Sequence, residues 1–227
     1  MKIIKKEDSL KSLYTKEYVN KLLTKSDFRI KYLLKSINFL KNELIVDYGC
    51  GDGKLSFLIH NKVKEYYGVD FPEEFIKIAK NKYEIKLNNV KFYCGNIIDF
   101  IKKNQNKFDK AFTLDFSEHI YDNDFIKIYT SIKQSLKNNG KLYIHTPNGK
   151  YFLERLKKTG IMKQIPVHIA VRNDEGYIKL LKKIGFNKIK IIYIPHYVTI
   201  LKLFHFLSFI PFIGKYFKAR LFIICEK

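Results

Sequence analysis

The sequence predicts an α/β domain built on a parallel sheet, and three observations carry that prediction. Short apolar runs alternate with segments of helical period along most of the chain. One such run, Leu44-Ile45-Val46, feeds directly into Asp47-Tyr48-Gly49-Cys50-Gly51-Asp52-Gly53 and then into an amphipathic helix pattern. At 227 residues, with 46% hydrophobic and 15% aromatic content, the chain is long and apolar enough to bury one full core.

In chain order, strands are expected at 44–48, 65–70, 90–94, 110–114, 141–146, 188–194 and 221–225, with helices between them. Phe125, Tyr129, Ile132 and Leu136 recur at three- and four-residue spacing, and Asn139-Gly140 is expected to stop that helix. Tyr177, Leu180, Leu181 and Ile184 form a second stripe, ended by Gly185. Both stripes are core faces and carry no chemistry. Residues 1–43 read as a basic N-terminal helical cap with Tyr18, Leu22, Leu23, Tyr32, Leu33 and Leu34 as apolar anchors, preceding one domain over 44–227.

The formal charge of +21 raises a nucleic-acid reading. However, 39 of the 43 basic residues are Lys, with Arg only at Arg29, Arg155, Arg172 and Arg220. Bidentate phosphate and base contacts favour Arg. Lysines spread along the whole chain describe a solvated surface, so no specific nucleic-acid partner is expected, although attraction to anionic membranes or acidic glycans follows from the charge. Cys50, Cys94 and Cys225 have no paired spacing, which fits a reducing compartment without a disulfide framework. Met1 to Lys11 is charged and lacks an apolar signal core, so a cytoplasmic location is expected.

The glycine turn is the most informative local feature. Glycines between a strand and a helix let the backbone approach a bound cofactor where side chains would block it. Both phosphate-binding patterns fail: the third glycine slot of G-x-G-x-x-G holds Lys54, and G-x-x-x-x-G-K-[ST] is absent. Acids flank the glycines instead, Asp47 before them and Asp52 between the last two. Carboxylates repel a pyrophosphate and favour positive charge, so the turn reads as a site for a cationic nucleoside.

The stretch from Asp47 to Gly53 resembles the first motif of class I S-adenosylmethionine-dependent methyltransferases, whose cofactor carries an ammonium, a sulfonium and a ribose but no phosphate. The resemblance spans about residues 33–227 and is strongest from Asp47 to Asn148. It implies a Rossmann-like seven-stranded, mostly parallel sheet with helices on both faces and an antiparallel last strand. It assigns Asp47, Gly49 and Gly51 to the cofactor turn, and requires an acid at the end of the second strand to take the ribose hydroxyls. Tyr66-Tyr67-Gly68-Val69-Asp70 supplies Asp70. Phe92-Tyr93-Cys94-Gly95-Asn96-Ile97 is similar to the motif that reads the adenine, with Asn96 where the family usually has Asp. The Asn carbonyl still offers an acceptor for the adenine amino group, and Ile97 would offer its backbone N–H. Phe71 packs either on the adenine face or in the core.

The stretch from Phe108 to Ile120 resembles the family's fourth strand and following loop, at the carboxyl end of the sheet, where open α/β folds bind ligands. The resemblance places Asp115 near the cofactor's methionine end. His119 is the candidate general base, because imidazole titrates near neutrality; the alternative is that Glu118-His119 only orders the loop. Asp115, Glu118 and His119 also stand at i, i+3 and i+4, on one face of a helical turn. Quinone-biosynthesis O-methyltransferases, which this stretch resembles, use two acids and a His at such spacing for a divalent metal. Here the first acid is the shorter Asp, Glu-His pairs also occur in relatives without metal, and no metal is expected. Thr146-Pro147-Asn148 resembles small-molecule methyltransferases acting on quinones or sugars. His168 either faces the substrate or orders a lid, and His145 is assigned to the strand end.

Residues 195–218 form an apolar insert. Interrupted by Lys202 and His205 and broken by Pro211, it is a poor transmembrane span. It either folds back over the core or stands as an apolar cap that touches lipid, binds a greasy substrate or forms a dimer face. Taken together, the expectation is an S-adenosylmethionine-dependent methyltransferase acting on a small-molecule acceptor, with a hydroxyl oxygen of a sugar, lipid-linked glycan or quinone-type substrate favoured. An RNA or protein methyltransferase is the first alternative, although Leu114-Asp115-Phe116-Ser117 lacks the Asn/Asp-Pro-Pro-aromatic signature of base methylation. A non-catalytic methyltransferase-fold partner subunit is the second, and a dehydrogenase, set against by Lys54, the third. The chain is expected as a monomer or homodimer, with peripheral contact to the inner membrane face through 198–213 as one use of the cap.

Overall fold

The computed structural model describes residues 27–227. Most of the N-terminal cap expected over 1–43 lies outside the described residues; the described part holds α1 (Phe28–Leu34), which buries Leu33. The strands form a seven-stranded Rossmann-like sheet in the order β3-β2-β1-β4-β5-β7-β6, surrounded by helices. The chain divides into two compact units, one ending at Phe100 and one running from Ile101 to Lys227.

The first unit holds β1 (Leu44–Tyr48), α2 (Lys54–Ile59), β2 (Glu65–Asp70), α3 (Glu73–Ala79) and β3 (Val90–Cys94), followed by the start of α4 (Ile97–Lys102). Strands β1, β2 and β3 are parallel, with Val46 opposite Tyr67 and Gly68 opposite Phe92. Residues Ile45 to Tyr48 are all buried, the continuous pattern of a parallel strand covered on both faces. Gly68 is required by packing: a Cβ there would lie 2.4 Å from Phe92 Cδ1.

The second unit holds β4 (Phe108–Leu114), a 3-10 turn at Ser117–His119, α5 (Asp122–Ser135), β5 (Leu136–Pro147), α6 (Phe152–Lys158), α7 (Asp174–Ile184), β6 (Lys188–Ile194), α8 (Thr199–Leu203) and β7 (Arg220–Glu226). Strand β4 runs parallel to β5, and β7 runs antiparallel to both β5 and β6, as expected of the last strand. Helix α7 carries its expected stripe and ends at Gly185, whose φ of 90° is the left-handed C-cap geometry. Its start is capped by Asn173, whose side chain accepts from the Gly176 N–H at 2.8 Å.

The stop of the preceding helix departs from expectation. Helix α5 ends at Ser135, and Leu136 is already extended at φ −76° and ψ 142°. The sheet claims Leu136, which is buried opposite Phe108, and a register shift between Phe108 and Lys110 absorbs the following residues. Asn139 then makes the turn at φ 63° within the segment the sheet has taken over.

Helices α5 and α7 meet through aromatic rings that also brace the loop after β4. Phe125 stacks on Tyr129 with centroids 3.9 Å apart and meets Tyr177 edge-on at 5.8 Å. Each such buried ring contributes about 2–3 kcal/mol by burial. Their hydroxyls are satisfied: Tyr129 donates to Thr113 Oγ1 at 2.9 Å, and the Tyr177 oxygen lies 2.7 Å from Ser117 Oγ and 3.1 Å from Thr146 Oγ1. The apolar insert becomes α8 and two 3-10 turns, Phe204–Phe209 and Gly214–Tyr216. Its largest apolar side chains stay exposed rather than folding back over the core. Among the described residues, no helix is long and apolar enough to cross a membrane.

Candidate active site: a carboxylate-rimmed turn and an acid–histidine cluster

In the first unit, the residues expected to hold a cofactor gather at the carboxyl ends of β1, β2 and β3. The glycine turn is pinned to the end of β2. The N–H groups of Gly49 and Cys50 donate to the Val69 carbonyl at 2.8 and 3.3 Å, and Gly51 N–H donates to Asp70 Oδ2 at 2.8 Å. Asp70 Oδ1 accepts the N–H of Phe71 at 2.8 Å. A Cβ at Gly51, where φ is 54°, would meet nothing within 4 Å, and the same holds at Gly95. Open space therefore lies beside both turns, whereas a Cβ at Gly53 would strike the Phe92 ring at 2.5 Å.

The acids around the turn, Asp47 buried and Asp52 and Asp70 half-buried, are reluctant to ionise. Tyr66 hydroxyl donates to Asp47 Oδ2 at 2.9 Å, while Asp47 Oδ1 is buried without a hydrogen-bond partner. Burial lifts the Asp47 carboxyl to about 7; the Tyr66 hydrogen bond opposes the rise and the Asp70 charge adds to it. Burial lifts Asp70 to about 6 against the amides of Gly51 and Phe71. Asp52 is also raised by burial, against Lys54 and Lys82, whose Nζ atoms lie 3.7 and 3.8 Å from its Oδ2. A cation would relieve all three, and a pyrophosphate would worsen them. The donor set and the open cradle beside Gly51 and Gly95 thus fit a cationic nucleoside.

Phe71 is exposed beside Asp70. Asn96 is exposed after β3, and its Oδ1 accepts the Ile98 N–H at 2.8 Å, holding the start of α4, where Ile97 is the first residue. That bond uses one acceptor lone pair of the amide and leaves the second.

In the second unit, Asp115 follows β4 at φ 53°, an uncommon conformation for a residue with a side chain. Its N–H donates to the His145 carbonyl at 2.8 Å. Its Oδ1 pairs with the Arg220 guanidinium and lies 2.9 Å from His145 Nδ1. Arg220 Nε donates to His145 Nε2 at 3.0 Å, and the Tyr197 hydroxyl lies 2.8 Å from the same nitrogen. A guanidinium only donates, so the network puts the His145 proton on Nδ1, facing Asp115. Sequence reasoning left His145 as a strand-end residue; the structure sets it against both members of the Asp115–Arg220 pair. The available signal was a single His in the otherwise apolar, buried run Leu142-Tyr143-Ile144-His145.

Glu118 is fully buried. Its Oε2 accepts from Thr146 Oγ1 at 3.2 Å, and its Oε1 lacks a hydrogen-bond partner. Burial, with the Asp115 charge adding and Arg220 opposing, lifts its carboxyl to about 8. His119 Nδ1 lies 2.7 Å from the Val167 carbonyl oxygen. A carbonyl only accepts, so Nδ1 carries the proton and Nε2 the lone pair. The His168 ring meets His119 edge-on at 5.2 Å, and burial, aided by His119, lowers His168 to about 3. The Asp115, Glu118 and His119 set weighed for a metal in the sequence does not gather. Asp115 engages Arg220 and His145, and His168 instead joins Glu118 and His119, with ligand-type atoms all within 4.8 Å of one another. Among the described residues, these three could hold a divalent cation.

Arg172, which sequence reasoning also passed over, locks this loop. Its Nε donates to Asp122 Oδ1 at 2.8 Å, its Nη1 to the carbonyls of Ser117 and Ala170 at 2.8 and 3.2 Å, and its Nη2 to the Ile120 carbonyl at 2.6 Å. The Ala170 N–H closes the clamp on the Glu118 carbonyl at 3.0 Å. His119 and His168 are therefore mounted on segments that one planar guanidinium ties together.

Comparison with known proteins shows the family. A family described as "Methyltransferase domain" matches residues 40–188, well over half of the chain. A ubiquinone biosynthesis O-methyltransferase of Pelagibacter ubique (strain HTCC1062) is 30% identical over 181 residues, covering 77% of this chain and 68% of that protein. One from Coxiella burnetii (strain Dugway 5J108-111) is 31% identical over 120 residues, covering 53% of this chain and 50% of that protein, so the match spans about half the length of that relative. The crystal structure of a SAM-dependent methyltransferase from Archaeoglobus fulgidus has the same fold, with a TM-score of 0.66 at 17% identity over 89% of this chain and 95% of that one. With the glycine turn, the acid ending β2 and the reversed β7 all in place, the chain belongs to the methyltransferase-domain family, in its class I S-adenosylmethionine-dependent branch.

Proposed function

We propose that this chain methylates a hydroxyl oxygen of a small-molecule acceptor, a sugar, lipid-linked glycan or quinone-type phenol, with His119 as the general base. The observation that carries the reading is the fixed tautomer of His119: Nδ1 is committed to the Val167 carbonyl at 2.7 Å, which leaves Nε2 as the basic nitrogen. The O-methyltransferase names of the Pelagibacter and Coxiella relatives support oxygen as the acceptor atom.

S-adenosylmethionine, when bound, supplies a methyl group made electrophilic by the sulfonium. The chain's own residues do the rest. Asp70 takes the ribose hydroxyls, Asp47 and the turn of Gly49 and Gly51 accommodate the cationic portion, and Phe71, Asn96 and Ile97 receive the adenine. Asp115, held by Arg220 and His145, serves the methionine end. His119 accepts the acceptor hydroxyl's proton at Nε2, and Arg172 keeps that imidazole in place, so positioning rather than covalent chemistry dominates. Lowered His168 basicity keeps the neighbouring ring neutral, so it does not repel a proton arriving on His119.

The test is His119→Gln assayed with labelled S-adenosylmethionine against catechols, hydroquinones and glycosides. The expected result is turnover of one hydroxyl class, falling about 10²–10⁴-fold in the variant while cofactor binding is retained. Undiminished turnover in His119→Gln would remove the general-base assignment.

A further inference from the structure

The stretch from Gly176 to Cys225 contains nine Lys or Arg and no Asp or Glu. Within it, the apolar insert presents Ile200, Leu203, Phe206, Phe209 and Phe212 at 69, 68, 65, 81 and 93% exposure. Isolated exposed apolar residues are ordinary, but five large ones within thirteen residues, with Lys202 and Lys215 beside them, are not. The tip is also preformed. Phe212 sits at φ 63°, the Ile213 N–H donates to the Pro211 carbonyl at 2.7 Å, and the Gly214 N–H donates to the Ile210 carbonyl at 2.9 Å. A Cβ at Gly214 would lie 2.4 Å from the Ser208 carbonyl oxygen, so the turn closes tightly behind the phenylalanines. At its foot, an apolar hollow of about 450 Å³ is lined by Phe152, Leu156, Ile213, Tyr216 and Phe217, with Arg155 placed over the Tyr216 ring at 5.0 Å.

We propose that residues 199–217 dock this chain on an anionic lipid bilayer. Phe206, Phe209 and Phe212 enter the headgroup–acyl boundary, Lys202 and Lys215 meet lipid phosphates, and the hollow beside Arg155 takes an acyl chain under its phosphate. Charge selects this occupant. A second copy would bring the same insert, whose charged residues over 199–217 are Lys202 and Lys215 with no acid, and the chain's own residues 1–26 carry seven Lys against three acids, so both would meet like charge. An anionic membrane supplies the opposite charge and an apolar interior together. The inference does not rest on the methyl-transfer reading, because cofactor binding is measured separately on the same protein.

The test is co-sedimentation of the full chain with vesicles of phosphatidylcholine alone and of phosphatidylcholine with about one third phosphatidylglycerol. Binding to the anionic vesicles is expected to be at least about tenfold stronger, and to weaken on raising salt to about 0.5 M. Phe209→Ser with Phe212→Ser should reduce it by about tenfold or more, and Lys202→Gln with Lys215→Gln should remove the salt dependence. All four positions are exposed, and an unchanged circular dichroism spectrum and thermal midpoint show that each variant is folded. The proposal is overturned by equal or no binding to the two vesicle types, or by parent-like binding of the Phe variant. It is overturned equally by a dimer in light scattering that dissociates in the Phe variant, which would assign the patch to a second copy.

Discussion

The backbone N–H of Gly51 donates to Asp70 Oδ2 at 2.8 Å, so the acid that ends β2 also fixes the turn that follows β1. In the proposed function one residue thereby has two roles: it offers a carboxylate to the ribose, and it holds the turn beside which the nucleoside would sit. Asp70→Ala removes both. S-adenosylmethionine affinity is expected to fall at least about thirtyfold, equivalent to ~2 kcal/mol, for the loss of a charged hydrogen-bonding group. Titration calorimetry of the variant checks this, and unchanged affinity would remove the ribose assignment.

The pH dependence of cofactor binding follows from the same acids. Burial raises Asp70 to about 6 and Asp47 to about 7, so the folded protein still holds protons that the unfolded chain has released. The contribution of these acids to the stability of the ligand-free protein is therefore fully present below the ordinary carboxylate value of 3.8 and is lost progressively as pH rises from there to about 6 for Asp70 and about 7 for Asp47. A cationic ligand favours the ionised forms. Affinity should rise across that window, level off above it, and be accompanied by proton release. Calorimetry in two buffers of different ionisation enthalpy measures the release, and Asp47→Asn should abolish its upper part while keeping an acceptor for the Tyr66 hydroxyl.

Arg220 and Asp115 form a largely buried ion pair, with side chains 15 and 18% exposed. Removing one partner of such a pair strands the other charge. Arg220→Met is expected to destabilise the fold by about 3 kcal/mol in urea unfolding, and Asp115→Asn in the same background to recover part of that loss. Additive effects of the two substitutions would show that the pair is not coupled.

What was legible in the sequence depended on how local the determinant was. The strands at Leu44–Tyr48, Glu65–Asp70 and Lys188–Ile194 stand where their apolar runs placed them. The turn from Gly49 to Gly53 was readable because glycine spacing and flanking acids lie within a few residues of one another. The end of α5 was not, because the competitor for Leu136 was its pairing with Phe108 in the sheet, a contact that helix-stop residues do not encode. The second unit's cluster was hidden for the same reason. His145 meets Arg220 75 residues away, His119 meets Val167 48 residues away, and Arg172 reaches back 55 residues to Ser117. Composition suggested a charged, apolar insert, but only the fold shows that its phenylalanines face outward.

The central claim is that the carboxylate-rimmed turn holds a nucleoside with positive charge and no pyrophosphate. The most direct measurement is titration calorimetry of the full chain with S-adenosylmethionine and, separately, with NAD. Saturable binding of S-adenosylmethionine, weakened by Asp70→Ala, with no heat from NAD, is the predicted result; NAD binding at this turn, or indifference to both ligands, would contradict it.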